Sequence, residues 1–166
     1  HITLPGNVSS QYISALLMIG PKLENGLNIT LTGEIVSLPY INMTLQLMAD
    51  FGAKVSWVND HELKVEPQPY CSIPYNIEND WSAASYWLEI AALAKDAEIT
   101  LPGLFKHSYQ GDSKMAENFG LLGAIPICKD NNVTIQKPRF VDISMATHMN
   151  CDFTNQPDLA QTFVVT

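Results

Sequence analysis

Asn7, Ser9, Ser10 and Gln11 lead without a break into Tyr12–Ile19, a run that is apolar at almost every position. Asn and Ser accept hydrogen bonds from the free N–H groups of a first helical turn, so the pattern predicts a helix starting near Val8 or Ser9. Tyr12, Ile13, Ala15, Leu16, Leu17, Met18 and Ile19 surround that helix on every side, which predicts burial all round. Gly20 and Pro21 supply the stop. Ile2–Leu4 before it reads as a short strand. Beyond it, Leu27–Leu31 alternates apolar with polar residues, as a half-buried strand does, and Gly33 closes it. Ser37 then caps a second helix with Pro39 in its first turn, Ile41, Leu45 and Met48 on one face, and Gly52 at its end. Residues 53–58 and 61–67, parted by Asn59 and Asp60, form a hairpin. The predicted order is β-α-β-α-β-β.

The same order runs again. Ile73–Glu78 is read as a strand, and Asp80 as the cap of a helix from Trp81 to about Lys95. Ala97–Leu101 follows as a strand, then a helix capped by Asp112 through Met115, Phe119 and Leu122 to Gly123. Ile125–Cys128 and Val133–Gln136 make a hairpin around Asp130, Asn131 and Asn132. Asn28–Gly33 (NITLTG) answers Glu98–Gly103 (EITLPG), and Pro67 answers Pro138, at a spacing of roughly seventy residues. Phe140–Met145 starts a third copy, and Asn155–Asp158 opens one more helix. Both ends are abrupt, so the chain reads as an internal piece of a longer protein. The fold class is α/β (α+β), built from a duplicated supersecondary unit.

The 166 residues suffice for one domain, or for one lobe and part of another. Apolar residues make up 46% and charged residues 16%, a globular balance, and no apolar run approaches the roughly eighteen residues of a membrane span. A net charge of −8, with Arg139 the single arginine, argues against nucleic acid, whose phosphates are held by clustered Lys and Arg. Cys71, Cys128 and Cys151 follow no pairing pattern, which suits a reducing, cytoplasmic setting. His107, His148, Cys151 and Asp152 fit no standard zinc spacing, so no metal is expected.

The helix starts are where chemistry enters. Bare N–H donors and hydroxyls at Ser9 and Ser10 can hold an anion, or the serines can merely cap. Ser37 carries the same ambiguity. Asp158 can be a reactive carboxylate, or simply sit where the helix dipole favours it.

Five motifs in order bear on that choice. GNVSSQY with the ALLM helix (6–18) comes first, then Val36–Tyr40 (VSLPY). They are followed by Asp80–Tyr86 (DWSAASY), Ser108–Asp112 (SYQGD), and Pro157–Asp158 with Ala160 and Thr162. This series, covering essentially the whole chain, resembles the 3-phosphoshikimate 1-carboxyvinyltransferase (EPSP synthase) family of enolpyruvyl transferases. Leu38, Asn79, Leu159 and Gln161 depart from its usual pattern. The resemblance implies the two-lobed fold of three repeat units per lobe, with residues 1–103 in the first lobe, 104–166 opening the second, and the crossing between about Gly103 and Gly111. It implies transfer of the enolpyruvyl group of phosphoenolpyruvate to the 5-hydroxyl of shikimate 3-phosphate, without cofactor, by a monomeric full-length protein in the shikimate pathway.

Carried over position by position, Ser9, Ser10 and Ser37 would hold the 3-phosphate and Gln11 would reach both substrates. Tyr40 would pack beside the shikimate ring, and Asp158 would accept the proton of the 5-hydroxyl. Phosphorylated, carboxylated substrates need Lys and Arg, which this acidic stretch scarcely has, so it carries half a site and is expected to be inactive alone. The alternatives are the sister enzyme acting on UDP-N-acetylglucosamine and a non-catalytic interaction module of the same repeats.

Overall fold

Leu27, Ile29 and Leu31 point to one side of a six-residue strand while Asn28 and Thr32 face outward, and this alternation sets the first half of the fold. The computed structural model describes residues 1–140 and 149–166, with the backbone alone for Met115. They form two compact units, His1–Tyr75 and Asn76–Thr166.

In the first unit the strands are β1 (Ile2–Pro5), β2 (Leu27–Thr32), β3 (Val55–Asn59) and β4 (Glu62–Val65), in the sheet order β1-β2-β4-β3. β1 and β2 are parallel, with Ile2 opposite Ile29 and Pro5 opposite Thr32, while β4 is antiparallel to both β2 and β3. Parallel neighbours need a crossover. Helix α1 (Ser10–Ile19) provides it, and α2 (Leu38–Asp50) follows β2. Ile13 and Leu17 of α1, and Ile41, Leu45 and Met48 of α2, close over Ile29, Leu31, Leu63 and Val65. Each such side chain contributes about 1.5–3 kcal/mol by leaving water. Gly20, at the end of α1, has no room for a side chain: a Cβ would stand 2.9 Å from Val65 Cγ1.

The second unit repeats the scheme. Helix α3 (Trp81–Leu93) precedes β5 (Ala97–Pro102). After a 3₁₀ turn (Gly111–Met115) and α4 (Ala116–Leu121) comes the hairpin of β6 (Ile125–Lys129) and β7 (Asn132–Lys137). The sheet order β5-β7-β6 matches β2-β4-β3. Ile29 and Leu31 correspond to Ile99 and Leu101, Ile29 stands opposite Leu63 as Ile99 stands opposite Ile135, and Gly33 and Gly103 share positive φ values of 73° and 72°. Trp81, Ala84, Leu88 and Ala91 of α3 pack with Phe119, Val133 and Ile135. A second 3₁₀ turn (Pro157–Leu159) and α5 (Ala160–Val165) complete the unit, with Phe163 edge-on to Phe119 at 5.2 Å.

Four expectations need correction. Ile73–Glu78 is not a strand, and among the described residues β5 has no parallel partner equivalent to β1. Pro74 offers no N–H for a ladder, Pro67 and Pro69 interrupt the segment before it, and that segment is held by single bonds such as Cys71 N–H to the Phe51 carbonyl at 2.8 Å. The crossing expected between Gly103 and Gly111 is absent: β5 pairs with β7 from Ala97 to Pro102, so both sides of that loop share one sheet, and the chain divides at Tyr75 and Asn76. Helix α1 is not buried all round, since Tyr12, Met18 and Ile19 are at least half exposed while only Ile13 and Leu17 are buried. The helix capped by Asp112 is instead a 3₁₀ turn running into α4, with Gln110 at the N-cap position and Asp112 inside the first turn. The third copy expected from Phe140 to Met145 lies largely outside the described residues.

Candidate functional site

β1 and β2 are parallel and in register, so both end at the same edge of the sheet, and both lead directly into helices. The loop after β1 carries Ser9 to the N-terminus of α1, and the loop after β2 carries Ser37 to the N-terminus of α2. That edge, at the carboxyl ends of adjacent parallel strands, is where open α/β sheets hold ligands, and each helix adds N–H donors and a positive dipole end.

The two serines are not equivalent. Ser9 is a true cap, its Oγ accepting from Gln11 N–H at 3.4 Å. Ser37 stands at the N-cap position of α2 in the left-handed region, with φ 56° and ψ 32°, and makes no side-chain cap bond. The expectation that Ser37 caps its helix is thereby corrected. Serine reaches that conformation only at a steric cost, and without a cap bond the local turn gains nothing from the hydroxyl. Ser9 and Gln11 are exposed, Ser10, Ser37 and Tyr40 half-buried. Tyr40 begins the first full turn of α2, its N–H bonded to the Ser37 carbonyl at 3.1 Å. The fold thus brings Ser9, Ser10, Gln11, Ser37 and Tyr40 to the starts of two helices that pack on each other in one unit.

The second copy offers an internal contrast. Asp80 occupies the place of Ser9 and caps α3 through Ser82 N–H at 2.9 Å. A carboxylate there already answers the helix dipole and repels a second anion, so the anion-compatible helix start belongs to the first copy.

Asp158 lies in the other unit. It is exposed in the 3₁₀ turn Pro157–Leu159, whose N-cap position is held by buried Gln156 and not by Asn155. His148 falls outside the described residues, and among those described no cluster of His, Cys, Asp or Glu could hold a metal.

Ser108–Asp112 is a motif to which the sequence assigns no role, and the structure supplies one. Glu78 accepts from Trp81 Nε1 (2.8 Å) and Phe105 N–H (2.7 Å) on one oxygen, and from Ser108 Oγ (2.6 Å) and Gln110 Nε2 (3.2 Å) on the other. Gln110 Oε1 in turn accepts from Trp81 N–H at 2.8 Å, and Asp112 accepts from Ser82 Oγ. This network fastens the 104–110 loop to the start of α3. The signal available was the pairing of one acidic residue with a Ser-x-Gln segment some thirty positions away, which no local periodicity reveals.

Comparison with known proteins settles the family. The sequence pattern of the family described as EPSP synthase (3-phosphoshikimate 1-carboxyvinyltransferase) matches residues 1–166. The chain belongs to the EPSP synthase family. It is 58% identical over 166 residues to a 3-phosphoshikimate 1-carboxyvinyltransferase of Bacteroides fragilis, covering 100% of this chain and 40% of that protein. Proteins of the same name from Dehalococcoides mccartyi and Idiomarina loihiensis are each 37% identical, over 99% and 96% of this chain and 37% and 36% of their own lengths. The chain thus spans about two fifths of the length of these EPSP synthase relatives. No helix among the described residues is long and apolar enough to cross a membrane.

Proposed function

We propose that the protein containing this chain transfers the enolpyruvyl group of phosphoenolpyruvate to the 5-hydroxyl of shikimate 3-phosphate, a reading supported by relatives named 3-phosphoshikimate 1-carboxyvinyltransferase. In this reading Ser9, Ser10 and Ser37 hold the 3-phosphate at the paired helix starts. Gln11 reaches both substrates, Tyr40 packs beside the shikimate ring, and Asp158 takes the 5-hydroxyl proton as oxygen bonds to the enol carbon and the methylene carbon beside it takes up a proton. Loss of a proton from that carbon together with departure of phosphate then restores the double bond. The reaction uses no cofactor. The protein works as a cytoplasmic monomer, a setting that suits three free cysteines.

The observation that carries the reading is Ser37: a strained, uncapped serine beside a second serine-bearing helix start, in a chain of this family. A hydroxyl freed from capping is available to a phosphate oxygen, and two helix dipoles converging on one anion strengthen the hold. The test is calorimetric titration of shikimate 3-phosphate into the full-length protein and its Ser9→Ala and Ser37→Ala forms, beside a turnover assay. Tighter binding of shikimate 3-phosphate than of shikimate, weakened in both variants, supports the reading. Equal affinity for the two compounds would refute the phosphate site.

A further inference from the structure

Three residues before Ser9, buried Gly6 sits where the two serine-bearing loops touch. Its N–H donates to the Thr32 carbonyl at 2.7 Å, and its carbonyl accepts from Val36 N–H at 3.3 Å. Val36 is the neighbour of Ser37, so one backbone residue binds both sides of the second loop while heading the first. The approach is close enough to exclude any side chain: a Cβ on Gly6 would stand 2.6 Å from the Glu34 carbonyl oxygen and 2.9 Å from Ile35 Cγ1. Neither neighbour can yield freely. One is backbone, and the other is a side chain packed on the core, as Val8 is from the first loop.

We propose that Gly6 is a positioning residue for the phosphate site: the missing side chain lets the two loops close on each other and sets the spacing between Ser9 and Ser10 on one and Ser37 on the other. The inference rests on the proposed role of those serines. A methyl group at position 6 must part the loops. Three hydroxyls that converge on one phosphate lose their common focus when one loop moves, and displacements near 1 Å can cost about a hundredfold in well-oriented sites. Gly6 touches no substrate in this account. It acts through the loop carrying Ser37.

The experiment compares Gly6→Ala, Ser37→Ala and the parent full-length protein by calorimetric titration with shikimate 3-phosphate and by steady-state kinetics. Gly6→Ala is expected to raise Kd and KM for shikimate 3-phosphate by roughly tenfold or more, with kcat at saturation within about threefold of the parent. A structural role alone would lower the melting temperature and leave Kd unchanged. That result, with Ser37→Ala still weakening binding, overturns the proposal while the serine site stands. If Ser37→Ala leaves Kd unchanged, the serine reading fails and the role of Gly6 falls with it. Should Gly6→Ala not fold, Ile35→Ala decides: it loosens the same contact without adding bulk. A weakening of about threefold or more supports the proposal, and an unchanged Kd overturns it.

Discussion

Ser14 Oγ on α1 lies 2.8 Å from Thr44 Oγ1 on α2, one turn inward from the two helix starts. The single Thr44 proton goes to the Tyr40 carbonyl at 3.0 Å, so Ser14 is the donor between the helices. A polar pair in an apolar interface fixes how far one helix slides along the other. Thr44 is buried, so Thr44→Val keeps its shape while leaving Ser14 without its acceptor. The loss should be about 1 kcal/mol by urea denaturation, and the Ser14→Ala, Thr44→Val double variant should lose less than the sum of the two. Strict additivity would show that the hydroxyls do not interact.

A second tie of this unit is sensitive to alkali. Tyr70 donates its phenol to the Met18 carbonyl at 2.8 Å, holding the proline-rich segment against the end of α1. Burial raises this phenol above its ordinary 10.0. The unfolded phenol titrates near 10, so the folded preference for the neutral form contributes fully below that pH and is lost as pH rises through the higher folded value. A phenolate cannot donate at all. Stability measured from pH 8 to 11 should fall more steeply for the parent than for Tyr70→Phe. Parallel curves would mean that the phenol does not titrate with folding.

Much of this architecture is legible in the sequence, because duplication writes the pattern twice. The alternation of Leu27, Ile29 and Leu31, the spacing of Ile41, Leu45 and Met48, and the match of 28–33 with 98–103 locate strands, helices and hairpins to within a few residues. What fails has physical causes. The run Tyr12–Ile19 has no polar side, and periodicity cannot say which face meets the sheet. Only Ile13 and Leu17 of that run are fully buried, with Leu16 half-buried against the core. Ile73–Glu78 has a strand's composition, yet a strand exists only where a neighbour offers a ladder, and the prolines around it spoil one. The change of unit was misplaced for the same reason: β5 and β7 pair across about thirty-five residues, information that no local window holds. At the candidate site the serines are readable as helix starts. The left-handed backbone of Ser37 and the contact at Gly6 are not, since both arise where separate loops meet.

Ser37→Gly should separate stability from binding. Glycine adopts a φ of 56° without steric cost, and no cap bond is lost because none exists. Relief of strain is offset in part by the greater freedom of glycine in the unfolded chain, leaving a change between zero and a gain of about 1 kcal/mol. Binding of shikimate 3-phosphate by the full-length protein should weaken about tenfold with the hydroxyl gone. Thermal melts and titrations of the same sample check both. A variant that is destabilised while binding normally would mark Ser37 as a helix residue and nothing more.

Asp158→Asn bears on the chemistry itself. Asparagine keeps the size of the side chain and can still accept a hydrogen bond, but it cannot take a proton. If Asp158 is the base for the 5-hydroxyl, turnover by the full-length protein should fall by roughly 10²–10⁴. Little stability should go with it. The side chain is exposed, the turn Pro157–Leu159 is a single 3₁₀ turn with a weak dipole, and a first-turn charge is worth no more than about 1 kcal/mol. Shikimate 3-phosphate should bind almost as before, because the proposed site holds its phosphate with the serines and not with this carboxylate. The expected signature is a depressed kcat with Kd and melting temperature nearly constant. Normal turnover with a lowered melting temperature would assign Asp158 to the start of α5 as a structural residue, and the proton would have to leave the substrate by another route.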